Sequence, residues 1–290
     1  MEVTIFGIHL TLNPVAFTLP LGKGWDVYWY GIIIASGFML AVLYGMLNAK
    51  RLGVNTDRLL DVVIVAAPVA ILGARLYYIV FDPVLTLSDF FDFSNGGFSG
   101  LAIYGAVIGA FASGALMCYI RKVNILDAFD LAAVGFLIGQ GIGRWGNFIN
   151  QEAFGSATGS SWFGMTSENV EAVLGEGALA HPCFFYESIW CLTGALLLHI
   201  YSKKRRFSGQ VILGYCVWYG LGRTFIEQLR MDSLFLGGPF RISTILSVLL
   251  CIGGVVGTVL ILRKQKEPKD TEYVSVFAEA MDEKEVNSEE

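Results

Sequence analysis

Histidine is scarce in this chain, three in 290 residues, and none of the five cysteines stands in a C-x-x-C pair or at a metal-ligand spacing. A zinc or haem centre is therefore not expected, and no cofactor is called for. Cys118, Cys183, Cys191, Cys216 and Cys251 read instead as small residues of apolar helices. Charge is scarce too: 16% of residues are Asp, Glu, Lys or Arg against 54% apolar, with a mean hydropathy of +0.59. That balance excludes an ordinary soluble domain. The formal charge of −5 misleads, because residues 270–290 hold eight acids and one lysine, leaving 19 basic and 17 acidic groups elsewhere. A near-neutral body implies no nucleic-acid partner. The N-terminus lacks a basic stretch leading into an apolar core, so no cleaved signal peptide is expected. No internal repeat stands out, which weighs against transporters built from repeats.

What the chain does have is long apolar runs. A bilayer crossing needs ~20 mostly apolar residues, and seven stretches qualify: 27–47, 59–81, 100–120, 125–142, 183–202, 210–230 and 241–262. The expected fold is an all-α polytopic membrane protein of seven helices. Basic residues sort the loops. Lys50, Arg51 and Arg58 lie after the first run, Arg121 and Lys122 after the third, and Lys203, Lys204, Arg205 and Arg206 after the fifth. The loops at 82–99 and 151–182 have no Lys or Arg. The N-terminus is thus expected outside and the C-terminus in the cytoplasm. Three regions follow: an extracytoplasmic segment 1–26, a membrane domain 27–262 and a charged tail 263–290 expected to be disordered. Within the membrane domain, 151–182 forms an outer arm, with a short helical piece near Ser167 to Leu174.

On this topology the ionisable residues gather at one depth. Arg75 lies in the outward half of the second run, Tyr30 and Tyr104 just inside the outer ends of the first and third, and Arg144 at the outer end of the fourth. Tyr186 and Glu187 open the fifth run, Arg241 opens the seventh, and Tyr219, Arg223, Glu227 and Arg230 form a stripe on the sixth. An arginine at mid-bilayer costs roughly 2.5–3.5 kcal/mol, so these residues need carboxylates, backbone, water or a bound anion. The acids at that depth are few: Glu152, Glu187 and Glu227. An excess of arginine would make a positive outer-leaflet cavity suited to phosphate, which a planar guanidinium grips with two hydrogen bonds. The plainer alternative, a buried ion-pair ladder of Arg223, Glu227 and Arg230, remains open, and Arg75 reads as a structural pairing residue.

The densest stretch is 143–155, G-R-W-G-N-F-I-N-Q-E-A-F-G, where polar groups alternate with aromatics. Hydrocarbon has no use for such a cluster, since each unpaired polar group there costs several kcal/mol. A grip on a lipid headgroup with the tails left in the bilayer would account for it. This stretch resembles the G-R-x-G-N-F-x-N-x-E-x-x-G signature of bacterial prolipoprotein diacylglyceryl transferases. Four further pieces agree in order: W-Y-G at 29–31, G-A-R-L-Y-Y at 73–78, H-P-C-F-F-Y-E at 181–187 and Y-G-x-x-R-x-x-x-E-x-x-R at 219–230. The resemblance extends over residues 27–262.

The resemblance implies transfer of the diacylglyceryl group of phosphatidylglycerol to the lipobox cysteine of a preprolipoprotein signal peptide, with glycerol 1-phosphate leaving, at the outer face of the bacterial cytoplasmic membrane among its lipids. Arg144 and Arg223 would stabilise charge on the leaving phosphate, with Glu227 a candidate base. Asn147, Asn150 and Glu152 would bind the glycerol headgroup, Gly155 would permit close backbone approach, and Tyr30, Tyr219, Arg230 and Arg241 would complete the lipid site. One departure stands out: Tyr104 occupies the place of a histidine that many members carry. Tyrosine, with a reference pKa of ~10 against ~6.5 for histidine, is a poor base at neutral pH. A thiol of pKa ~8.5 is already a few per cent thiolate at pH 7 and needs less help. His181, before Pro182, is expected to shape the start of the fifth helix. A transporter of anions or lipids built on the same arginines is the competing reading, although few polar groups continue to the cytoplasmic halves. An intramembrane protease would need a serine–histidine or paired-aspartate set at one depth, which the sequence lacks.

Overall fold

The computed structural model describes residues 1–20, 25–82, 85, 89–90, 100–231 and 241–264. The tail beyond Lys264 and most of the 82–99 loop fall outside these. The order is β1 (Glu2–Ile5), β2 (Ile8–Thr11), β3 (Val15–Leu19), β4 (Trp25–Tyr28), α1 (Trp29–Ala49), α2 (Thr56–Phe81), α3 (Ile103–Ile120), α4 (Ile125–Asn150), β5 (Met165–Ser167), α5 (Glu168–Leu174), α6 (Cys183–Ser202), α7 (Gln210–Ile226) and α8 (Ile242–Lys264). Six helical segments are long and apolar enough to cross a bilayer: Trp29–Leu52, Thr56–Phe81, Ile103–Ile120, Ile125–Asn150, Cys183–Ser202 and Ile242–Lys264. The chain is a multi-pass membrane protein, mainly helical. Large apolar side chains such as Met39, Leu47, Ile108, Ile252 and Leu260 face outward, as lipid-facing residues do.

Three differences from the sequence expectations have physical causes. The chain is not wholly α-helical, because β1, β2 and β5 form an antiparallel sheet in the order β2-β1-β5 and β3 pairs with β4. The fourth helix does not stop at 142 but runs to Asn150. Glycines 143 and 146 lie within this helix, and neighbouring side chains, Ile34 and Tyr30 respectively, fill the space a Cβ would take, so the positions suit glycine for packing and not for a helix end. The seventh helix has 17 residues, about 25 Å at ~1.5 Å per residue. Beyond Ile226 the chain tightens into turns, with Leu229 N–H bonded to Ile226 O at 3.0 Å and Arg230 N–H to Glu227 O at 3.2 Å.

The chain divides into two compact units. One contains Val42–Leu131 among the described residues. Here α2 and α3 pack backbone to backbone: a Cβ on Gly73 would meet Gly105 O at 2.6 Å, and one on Gly109 would meet Val69 O at 2.8 Å. Small residues permit this approach, as the helical spacing of Gly105 and Gly109 suggests. A core of Ala49, Leu52, Val54, Leu59, Val62, Cys118, Val123, Ala128 and Leu131 seals the end with the basic loops. Arg75 is buried, and its guanidinium donates to Asp89 O at 2.8 Å and, at 3.5 Å, to Phe90 O and Gly100 O. It anchors loop backbone, in line with a structural role.

The other unit contains Met1–Ala41 and residues 132–264 among the described residues. Trp190 of α6 and Trp218 of α7 stack at 4.4 Å, each indole N–H donating to the other's backbone carbonyl at 3.0 Å. Gly222 and Gly194 lie directly under these rings. A Cβ on Gly220 would meet Ser247 O at 2.5 Å, and one on Gly254 would meet Leu213 O at 2.7 Å, so α8 seats on α7 through glycines. The sheet covers one end of this bundle. Val3, Met165, Val170 and Ala180 pack there with Phe148 of α4 and Phe184 of α6. The 151–182 arm is woven in: Met165 and Ala180 exchange backbone hydrogen bonds at 2.9 and 2.8 Å, and Ser167 caps α5 by accepting from Val170 N–H.

Candidate active site

The last turns of α4 set Arg144 and Asn147 on one face, three residues apart. The helix then ends abruptly. Gln151 and Ala153 take left-handed backbone conformations, φ 55° and 59°, which are uncommon outside glycine. Gln151 is fully buried, its side chain donating back to Phe148 O and its carbonyl accepting from Asn169 at 3.1 Å. The reversal returns Glu152 to the helix, where its N–H bonds Asn147 O at 3.0 Å and its carboxylate accepts from Asn147 Nδ2 at 2.8 Å. Asn147 Oδ1 accepts from Arg144 Nη1 at 3.2 Å. An arginine only donates and a carboxylate only accepts, so the amide orientation is fixed by its partners. Asn150, half-buried, follows at the end of the helix.

Arg144 is also paired on its other side, and there it meets Glu187 of α6. Glu187 is a hub. Its Oε2 faces Arg144, and its Oε1 accepts from Arg223 and from Arg230, both at 3.1 Å. Arg223 Nη2 lies 2.6 Å from Glu227 Oε2 without hydrogen-bond alignment, and Ser243 donates to Glu227 Oε1. Glu187 and Glu227 are nearly inaccessible, at 7% and 2% side-chain exposure, while Arg144 keeps 23%. Of the three arginines, Arg144 is the most accessible.

The remaining residues frame this cluster. Tyr219 stacks on Tyr215, ring centroids 5.5 Å apart and nearly parallel, within the fields of Arg223, Arg144 and Glu187. Tyr30 lies across Gly146, where a Cβ would come within 2.7 Å of its ring, and senses Glu152 and Arg144. Gly155 bridges Arg230 in antiparallel fashion, and Ser156 N–H bonds Leu229 O at 2.7 Å. A Cβ on Gly155 would meet His181 Cβ at 2.8 Å and Cys183 Sγ at 2.9 Å. The close approach that this glycine permits is to its own chain. Trp145 donates to Ser188 Oγ at 3.1 Å and lies edge-on to Phe184. His181 meets Tyr186 OH at 3.2 Å, at the foot of α6. Arg241 stands just before α8, its carbonyl accepting from Thr244 and Ile245. Tyr104 belongs to the Val42–Leu131 unit, on the first turn of α3, with its ring 6.1 Å from that of Tyr77.

Half of the candidates therefore converge: Arg144, Asn147, Glu152, Arg223, Glu227 and Arg230 form one connected network. The residue that sequence reasoning left out of its candidate site is Glu187. The signal was available, since it is the single acid of α6 and follows directly on an H-P-C-F-F-Y stretch at the arginine depth.

Comparison with known proteins agrees. The profile described as prolipoprotein diacylglyceryl transferase matches residues 14–260. A Clostridioides difficile (strain 630) protein named phosphatidylglycerol–prolipoprotein diacylglyceryl transferase is 40% identical over 258 residues, spanning 88% of this chain and 98% of that one. A similarly named protein of Clostridium perfringens (strain 13 / Type A) is 40% identical over 267 residues, covering 91% of this chain and all of its own length. A third, from Bacillus velezensis, is 36% identical over 266 residues, 90% of this chain and 96% of its own.

Proposed function

The chain belongs to the prolipoprotein diacylglyceryl transferase family, and from that membership we infer that it moves the diacylglyceryl group of phosphatidylglycerol to the lipobox cysteine thiol of a preprolipoprotein. It is a transferase acting in the first step of lipoprotein maturation. The three relatives named above are called phosphatidylglycerol–prolipoprotein diacylglyceryl transferases, which supports this reading over that of a transporter.

In the reaction the sulfur forms a bond to the glyceryl carbon while the carbon–oxygen bond to phosphate breaks. The electron pair of that bond leaves with glycerol 1-phosphate, and the thiol proton balances the added negative charge. The single observation that carries the site assignment is the convergence of Arg144, Arg223 and Arg230 on one buried carboxylate. Guanidinium groups held ready where phosphate charge develops stabilise the transition state without reorganising. Arg144 and Arg223 are assigned this role. Glu227, paired with Arg223, serves as structural counter-ion more readily than as base. Asn147, Asn150 and Glu152 hydrogen-bond the glycerol headgroup, with Tyr30, Tyr219, Arg230 and Arg241 around the lipid. Gly155 aligns the Arg230 backbone, and Tyr104 positions substrate by hydrogen bonding.

The same reading takes α7 as a seventh crossing, completed by the turns to Arg230, with the N-terminus outside, the C-terminus in the cytoplasm and the cluster at the outer leaflet of the cytoplasmic membrane. It follows from the Lys and Arg distribution. The test is direct: purified protein, labelled phosphatidylglycerol and a lipobox peptide. Thioether-linked diacylglyceryl peptide and an equal amount of glycerol 1-phosphate are expected. Absence of the thioether product from active-folded protein would overturn the assignment.

A further inference from the structure

Glu187 is the one acid of α6, and it meets three arginines from three separate pieces of chain: α4, α7 and the turns after α7. Its Oε1 takes Arg223 and Arg230 at equal distances of 3.1 Å, and its Oε2 takes Arg144. All three of these arginines thus share the Glu187 carboxylate. Without an anion at this point, three guanidinium groups would repel one another across a poorly solvated site. With it, each is drawn to a defined position, and Arg144, the most exposed, keeps an outer face toward any ligand.

A second consequence concerns charge. Arg144, Arg223 and Arg230 share one network with the carboxylates of Glu187, Glu227 and Glu152. The phosphodiester of the lipid substrate carries one negative charge, whereas glycerol 1-phosphate carries up to two near neutral pH. A carboxylate at the centre of the arginines therefore disfavours the released monoester more than the diester. Removing the Glu187 charge would make the cluster more positive by one, and the doubly charged product would gain more from that than the substrate.

We propose that Glu187 is a positioning residue with a double effect: it presets Arg144, Arg223 and Arg230 for the phosphate, and its charge keeps the cluster from retaining the glycerol phosphate product. The proposal rests on the transferase reading above. It adds to that reading a residue outside the expected catalytic set and a reason why a phosphate site should contain a carboxylate at its centre.

The experiment compares wild type, Glu187→Gln and Glu187→Asp in phosphatidylglycerol liposomes. Turnover, KM and the inhibition constant for glycerol 1-phosphate are measured, along with calorimetric binding of glycerol 1-phosphate to each purified protein. For Glu187→Gln, binding of glycerol 1-phosphate should tighten on the order of tenfold while kcat falls. Glu187→Asp keeps the charge but is too short to reach all three arginines. Its glycerol 1-phosphate affinity should stay within about threefold of wild type while kcat falls. A structural role alone would lower folded yield and thermal midpoint without tightening product binding. Unchanged or weaker product binding by folded Glu187→Gln overturns the charge effect. Wild-type turnover by Glu187→Asp overturns the positioning effect, and that arm decides if the glutamine variant does not fold. A wild-type protein that forms no thioether product would instead remove the transferase reading itself, an outcome separate from either variant result.

Discussion

Gly155 and Arg230 face each other across an antiparallel bridge, so the last residue of the 143–155 motif aligns the backbone that carries one arginine of the cluster. Behind Gly155 stand His181 Cβ, Cys183 Sγ and Leu229 O, all within 3.0 Å of where a Cβ would sit. Gly155→Ala should therefore force the 229–230 segment outward and draw Arg230 from Glu187. Overpacking of this kind costs typically ~1–3 kcal/mol. A drop in thermal midpoint together with at least a roughly tenfold loss of transfer is expected. Wild-type transfer by the alanine variant would show that this backbone has room to yield.

Arg144 offers the most accessible guanidinium of the cluster and is held from both sides, by Asn147 and by Glu187. Lysine at this position keeps the charge and loses the planar fork. One charge-assisted hydrogen bond is worth ~1.5–3 kcal/mol, so Arg144→Lys should slow transfer roughly ten- to a hundredfold. Arg144→Ala should be slower still. Rates are compared at matched folded yield in membranes, and near-normal transfer by folded Arg144→Ala would exclude the residue from the site.

Tyr104 lies on the first turn of α3, half-exposed beside Tyr77. As a hydrogen-bonding residue it should be replaceable by histidine, whose ring also donates and accepts hydrogen bonds. Transfer should persist in Tyr104→His and fall moderately, by ~3- to 10-fold for one hydrogen bond of ~1 kcal/mol, in Tyr104→Phe. An inactive but folded histidine variant would mean that the phenol does chemistry of its own.

The reciprocal Trp190–Trp218 pair gives a stability test away from the arginines. A methyl added at Gly222 would enter the Trp190 indole, separating the rings and breaking both N–H bonds. Gly222→Ala should lower the thermal midpoint through a loss of ~1–3 kcal/mol. Gly253 on α8 has open space where a Cβ would go, and Gly253→Ala should leave the midpoint unchanged or raise it. Equal behaviour of the two variants would mean that the tryptophan contact contributes nothing.

Much of the helical framework was legible because a bilayer-spanning helix leaves a long, unambiguous apolar run. The run at 183–202 matches α6 residue for residue, and the short helical piece expected near Ser167 to Leu174 is α5. The end of α4 was not legible. Glycine and polar residues normally suggest a helix terminus, yet here Gly146 is a packing glycine inside the helix, with Tyr30 in the space beside it. The two small sheets were missed for a different reason. Strands of three to five residues carry too little alternation to be recognised, and β1 finds β5 only through the fold. Glu187 illustrates the same limit at the site. Its charge and depth were evident, but which arginines it meets depends on how α4, α6 and α7 come together, and no local spacing records that. Arg223 and Glu227 are the counterexample, four residues apart on one helix and paired as that spacing allows.

The pairing of β1 with β5 imposes an order on synthesis. Val3 lies opposite Ser167 and Ile5 opposite Met165, so the first strand made waits for a partner more than 150 residues later. At ~5–20 residues per second that interval is roughly 10–30 s. During it, α1 through α4 can enter the bilayer while the apolar side of β1 has nothing to cover. Phe148 and Phe184, which that strand and β5 bury, likewise stay open until the arm closes over them. Arg223 and Arg230 are made later still, so β1 and β5 can pair before the arginine network is complete, and a newly inserted chain passes through a stage in which the sheet exists before the ion pairs of the site.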